Sequence, residues 1–155
     1  MDVRFGGRAV AGEGRGELKL RILACGKAGH SPEAELVRRY LERIPWGASC
    51  RELADETAFP PPPPASRTVV LDEGGAALSS MALAARLGGW RDDGVREVRF
   101  LIGPADGHSR ETLAGADLLL AFGPATWPHL LARAMLAEQL YRAWSILAGH
   151  PYHRP

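Results

Sequence analysis

Three short stretches carry residue types that let backbone meet a ligand: LDEGG at 71–75, IGPADG at 102–107 and FGPATWP at 122–128. Each follows an apolar run. Glycine leaves no side chain between main-chain polar groups and a bound molecule. One such loop is an ordinary turn, but three in successive units at one sheet edge describe a binding cleft. A fourth stretch, HPYHR at 150–154, crowds rings and cations into a short tail. A folded domain has no packing reason to finish that way. His129, beside the third loop, and His153, in the tail, are imidazoles, the side chain that exchanges protons near neutrality.

Several chemistries lack their residues. IGPADG is not GxGxxG, and no GxxxxGK[ST] occurs, so neither a dinucleotide fingerprint nor a phosphate cradle is supported. No serine lies in GxSxG, so a hydrolase elbow is absent. Cys25 and Cys50 fit no metal spacing, and the five histidines form no HxxxH pair, so no metal is expected. The net charge of +1 excludes an overall basic field, though not a local patch. Arg133 and Arg142, on the polar side of the last helix, are candidates for such a patch, or for pairing with Glu138. No apolar run approaches the roughly 20 residues that span a bilayer, and MDVRFGGRAVAGEGRGE has no apolar signal core. A cytoplasmic protein without membrane contact is expected.

The elements that would position these stretches alternate. At 155 residues one domain is expected, 18–155, after a Gly/Arg-rich extension at 1–17 read as disordered. Leu18 to Cys25 alternates like a strand. Ser31-Pro32-Glu33 is a helix start, and that helix should stop near Arg43, before Pro45. Residues 50–67 contain Pro60 to Pro64, which favour an extended connector at about 58–66 over a ligand for a proline-binding module. Strands are expected at Thr68 to Leu71, Glu97 to Ile102 and Leu118 to Phe122. Helices are expected from Ser79 to about Leu87 and from His108 or Ser109 to Ala114. The last helix begins at Pro128 and ends at Gly149, with Leu130, Ala134, Ala137, Tyr141, Trp144 and Ala148 on one face. Alternating strands and helices predict an α/β fold, a parallel sheet with ligand at the carboxyl ends of its strands.

VLD at 70–72, LIG with the later Gly107, PH at 128–129, and above all QLYRAWSI followed by GHPYHR carry a resemblance. The chain resembles the SPOUT-class methyltransferases of the RlmH family, which methylate N3 of a pseudouridine in 23S ribosomal RNA. The likeness is close over 68–155 and looser over 18–49. It implies a SPOUT-type parallel sheet flanked by helices, with a deep C-terminal trefoil knot, a rare exception to unknotted topology. It implies S-adenosylmethionine as methyl donor, held by Leu71, by Gly103 and Pro104, and by Phe122, Gly123, Pro124, Ala125, Thr126 and Trp127. It implies a homodimer acting on 23S rRNA in the 70S ribosome, each active site completed by the partner's tail. His129 and His153 then become candidates for removing the N3 proton. Tyr152 is a candidate for stacking on the base, and Arg142 and Arg154 for holding flanking phosphates.

The chain departs from that pattern twice. The family usually reads IGG where this chain has Ile102-Gly103-Pro104; proline removes a backbone donor, which matters only if the position does more than turn. A basic segment common before Thr68 is replaced by prolines; Arg4, Arg8 and Arg15 are read as part of a disordered leader in preference to a substitute for it. Two alternatives stay open: another RNA substrate on the same fold, and a non-catalytic ribosome-binding relic, which Pro104 alone favours.

Overall fold

A computed structural model describes residues 2–4 and 17–155. Among the described residues, six strands and four α-helices form one sheet with helices on its faces. The strands are β1 (Asp2–Arg4), β2 (Lys19–Cys25), β3 (Ala48–Leu53), β4 (Ser66–Ala76), β5 (Glu97–Ile102) and β6 (Leu118–Leu120). The helices are α1 (Pro32–Glu42), α2 (Ser80–Asp92), α3 (Arg110–Ala114) and α4 (His129–Ala148). The strand order is β1-β3-β2-β5-β4-β6, with β1 antiparallel to β3 and the other five mutually parallel.

Helix starts follow their capping chemistry. Ser31, Ser79 and Ser109 each accept a backbone N–H from three residues on. Serine 109 thereby decides the start of α3. Gly149, at φ 70°, ends α4 in the left-handed conformation that glycine adopts without steric cost.

One sheet face carries the main core. Leu20, Ile22, Val69, Val98 and Phe100 pack there against Val37 and Leu41 of α1, Leu83 and Leu87 of α2, and Leu136 and Leu140 of α4. Each fully buried leucine contributes about 1.5–3 kcal/mol. The other face holds a smaller cluster, Leu23, Leu53, Val70 and Leu101, covered by Phe59, Leu113 and Leu119.

Several expected boundaries are corrected. The extension read as disordered over 1–17 contains β1, because β3 would otherwise be an edge strand with unpaired backbone groups; residues 5–16 lie outside the described residues. Residues 48–53, for which the sequence pattern predicts no element, form β3, whose alternation is broken by Arg51 and Glu52. The segment at 58–66 is more than a spacer: Phe59 packs on the second face, and the Pro60 carbonyl accepts from buried Arg99 at 2.6 Å. Strand β4 runs five residues past Leu71, with a bulge between Leu71 and Ala76. Helix α2 passes Leu87 through Gly88, where a Cβ would lie 2.9 Å from the Leu147 side chain. Strand β6 ends at Leu120 rather than Phe122. In α4, Ala148 is exposed, while Arg133, Leu136, Leu140 and Ala143 are buried, because α4 is enclosed by α1, α2 and the sheet.

Candidate functional site

Strands β5, β4 and β6 are neighbours, so the loops at their C-terminal ends converge. With the first turn of α4 they wall a cleft of about 810 Å³. The bulge of β4, which takes the place of the expected first loop, brings Leu71, Asp72 and Glu73, and the second loop brings Gly103 and Pro104. Phe122, Gly123, Ala125, Thr126 and Trp127 come from the third, and His129 opens α4 at the rim. Of the expected cofactor residues only Pro124 is outside this lining.

The third loop is closed on itself: the Trp127 indole N–H donates to the Phe122 carbonyl at 3.0 Å, and Gly123 takes φ 89°. Pro128 gives α4 no side-chain cap, so the first N–H groups of the helix, with their partial positive charge, stand at the cleft. Pro104 opens a turn, its carbonyl accepting from Gly107 N–H at 2.9 Å. Gly75 is where the chain after the first loop crosses β6. A Cβ there would sit 2.7 Å from the backbone of Leu119 and Leu120, so only glycine permits the crossing.

The charge of the wall is informative. Asp72, Glu73 and Asp106 line the cleft, and among the described residues no lysine or arginine does. Such a wall attracts a cation and repels a polyphosphate.

The patterns read above did not reveal His108 as a wall residue. Its ring lies against Gly103, where a Cβ would be 2.8–3.0 Å from the ring atoms. Its Nδ1 is 2.7 Å from Glu56 Oε1, and Glu56 also accepts the Ser109 N–H at 2.9 Å. Burial pushes the Glu56 carboxyl up, but the bonds from Ser109 and His108 outweigh it and hold it below the usual range. Glu56 is 52 residues from His108, so no local spacing announces the pair.

The expected tail residues assemble elsewhere. Glu138 Oε1 accepts from Arg142 Nε at 2.9 Å and from the Tyr152 hydroxyl at 3.0 Å. Arg142 Nη1 is 3.1 Å from His153 Nδ1, and the Arg142 guanidinium lies over the Tyr152 ring at 4.8 Å. The Tyr152 ring meets Tyr141 edge-on at 4.6 Å. Burial first, then bonds to Tyr40 and Glu138, push Tyr152 ionisation up. Arg154 is exposed. None of Arg142, Tyr152, His153 and Arg154 lines the cleft of its own chain.

Arg133 does not join a surface patch. It is 2% exposed, paired with Glu52 at 2.9 Å and directed at the Cys25 and Gly26 carbonyls. Arg142 does pair with Glu138. Among the described residues no group of three His, Cys, Asp or Glu could hold a metal. No helix among them is long and apolar enough to cross a membrane.

Residues 51–153 match the family model described as "Predicted SPOUT methyltransferase". The chain is 64% identical over 137 residues to the ribosomal RNA large subunit methyltransferase H of Novosphingobium aromaticivorans, covering 87% of this chain and 97% of the relative. It is 62% identical over 136 residues to the protein of that name from Rhizorhabdus wittichii, with the same coverage of both chains. With the namesake from Erythrobacter litoralis the identity is 61% over 136 residues, again covering 87% and 97%.

Proposed function

The chain belongs to the SPOUT methyltransferases, and from that premise we propose that it transfers a methyl group from S-adenosylmethionine to N3 of a pseudouridine in 23S rRNA. The substrate is the assembled 70S ribosome in the cytoplasm. The observation that carries the reading is the cleft: among the described residues its wall holds glycines at the second and third loops, three carboxylates and no lysine or arginine. This suits a sulfonium with an ammonium group and does not suit a nucleotide polyphosphate. The names of the relatives support the large-subunit rRNA as target.

S-adenosylmethionine, when bound, supplies a methyl group already activated on positive sulfur. The chain's own contribution is therefore alignment and exclusion of water. Leu71, Gly103 and the loop from Phe122 to Trp127 would hold the donor. Asp72 and Glu73 stand where its cationic groups gain most. His129, exposed at the rim, takes the N3 proton of the incoming base. The target base is unpaired in the ribosome, because N3 lies on its pairing edge.

The second part of the proposal is a homodimer, with the trefoil knot of the resemblance formed around the Gly75 crossing. The tail and the cleft lie toward opposite ends of α4, whose 20 residues span about 30 Å. A second chain that packs α4 against α4 brings its tail to this cleft. The exposed Trp127 and Leu131 beside the cleft support that contact. In this arrangement the partner's Arg154 holds an rRNA phosphate, and Glu138, Arg142, Tyr152 and His153 fix the direction of the tail.

The test is transfer of labelled methyl from S-adenosylmethionine to 70S ribosomes from cells lacking this protein, with free 23S rRNA and tRNA alongside. Label on one 23S nucleotide in ribosomes is expected. No label on any RNA from a folded dimer refutes the activity.

A further inference from the structure

The His108 ring has one nitrogen accounted for and one left over. Nδ1 faces the Glu56 carboxylate at 2.7 Å. An ionised carboxylate only accepts, so the proton of a neutral ring resides on Nδ1 and Nε2 becomes an acceptor. The side chain is 2% exposed, and Nε2 has no hydrogen-bond partner within the protein. A strut between Glu56 and the second loop needs only Nδ1. A buried acceptor left unpaired lowers stability, so packing alone does not explain a histidine at this position.

The ring also forms wall. It lies against Gly103 and borders the cleft beside Ile102 and Phe122. The charged rim is separate: Glu73 and Asp106 are exposed, whereas the imidazole is closed off from water. Charged groups of a ligand belong at the wet carboxylates, and uncharged polar groups belong at a buried ring nitrogen. Building on the methyl-donor reading above, we propose that His108, oriented by Glu56, recognises the nucleoside half of the bound donor. Its Nε2 accepts a hydrogen bond from a ribose hydroxyl or the adenine amine.

Two measurements test this. In wild-type protein with ¹⁵N-labelled histidine, saturating S-adenosylhomocysteine and saturating adenosine should each move the His108 Nε2 resonance. In calorimetry, His108→Leu should weaken both ligands by the same factor, about five- to tenfold. Loss for S-adenosylhomocysteine alone places the contact on the amino-acid half and overturns the proposal. Unchanged affinities in a folded variant overturn it too. If the variant does not fold, an Nε2 resonance unmoved in ligand-saturated wild type overturns it. Wild type that binds neither ligand refutes the methyl-donor reading itself, a different outcome from binding that ignores His108.

Discussion

At the N-terminal end of α4 the cleft is walled by loops that carry glycine and proline; at its C-terminal end the tail is held by side chains. The cleft wall uses glycines at 103, 107 and 123, a turn at Pro104, and an uncapped helix start. The tail uses a carboxylate, a guanidinium, two tyrosines and an imidazole within bonding or ring contact. Main-chain recognition survives most side-chain changes and fails where a Cβ is added. A side-chain cluster fails piece by piece, because each member holds the next. The two ends should therefore break differently.

The largest effect is expected at the crossing beside the cleft. Gly75→Ala puts a Cβ 2.7 Å from the Leu119 and Leu120 backbone, where nothing flexible can yield. A loss of about 3 kcal/mol, read from the denaturant midpoint, is expected. Loss below about 0.5 kcal/mol would mean that the crossing is loose and the cleft is not set by backbone contact. Arg133→Met comes next. It leaves Glu52, one-third exposed, without its buried partner, and about 2–3 kcal/mol should be lost in the same assay.

At the tail the expected losses are smaller and fall on activity. Arg154→Ala should reduce methyl transfer to ribosomes about 10- to 100-fold, the loss of one charged hydrogen bond, with S-adenosylhomocysteine affinity unchanged. Full activity would show that the tail does not contact rRNA. Tyr152→Phe removes one bond to Glu138 and should cost about 1 kcal/mol of stability. Its methyl transfer should fall severalfold, while thermal unfolding shows whether the tail alone has loosened.

The smallest effect is electrostatic and belongs to the cleft wall. The Glu56 carboxyl is held below its ordinary value of 4.5. A depressed carboxyl contributes stability above its unfolded value and loses it as pH falls through the folded value. Wild type should exceed Glu56→Gln by up to about 1 kcal/mol at neutral pH. That difference should shrink as pH drops below 4.5. A constant difference would mean that the Glu56 charge does not hold His108 and Ser109.

Local chemistry was legible where one residue acts on its immediate neighbours. Ser31, Ser79 and Ser109 cap, Gly149 terminates, and the loops after β5 and β6 bring glycine to the cleft. Strand β3 was hidden because Arg51 and Glu52 interrupt its alternation. Arg133 read as a surface cation because helical spacing does not show that this turn faces Glu52 and the carbonyls at the end of β2. Burial of a long charged side chain depends on a distant carboxylate, here 81 residues away.

The sequence by itself therefore determined the α/β alternation, the caps, the sheet edge that forms the cleft and, through QLYRAWSI and GHPYHR, the family. These depend on periodicity, on contacts three or four residues apart, or on the wording of a short segment. Only the tertiary structure decided that Glu56 meets His108, that the prolines dock on Arg99, and that the tail folds onto Glu138. The first two are pairings across separate elements, set by strand order and helix packing. The third is set by packing of the tail's rings on α4, which a pattern of residue types along the chain does not encode.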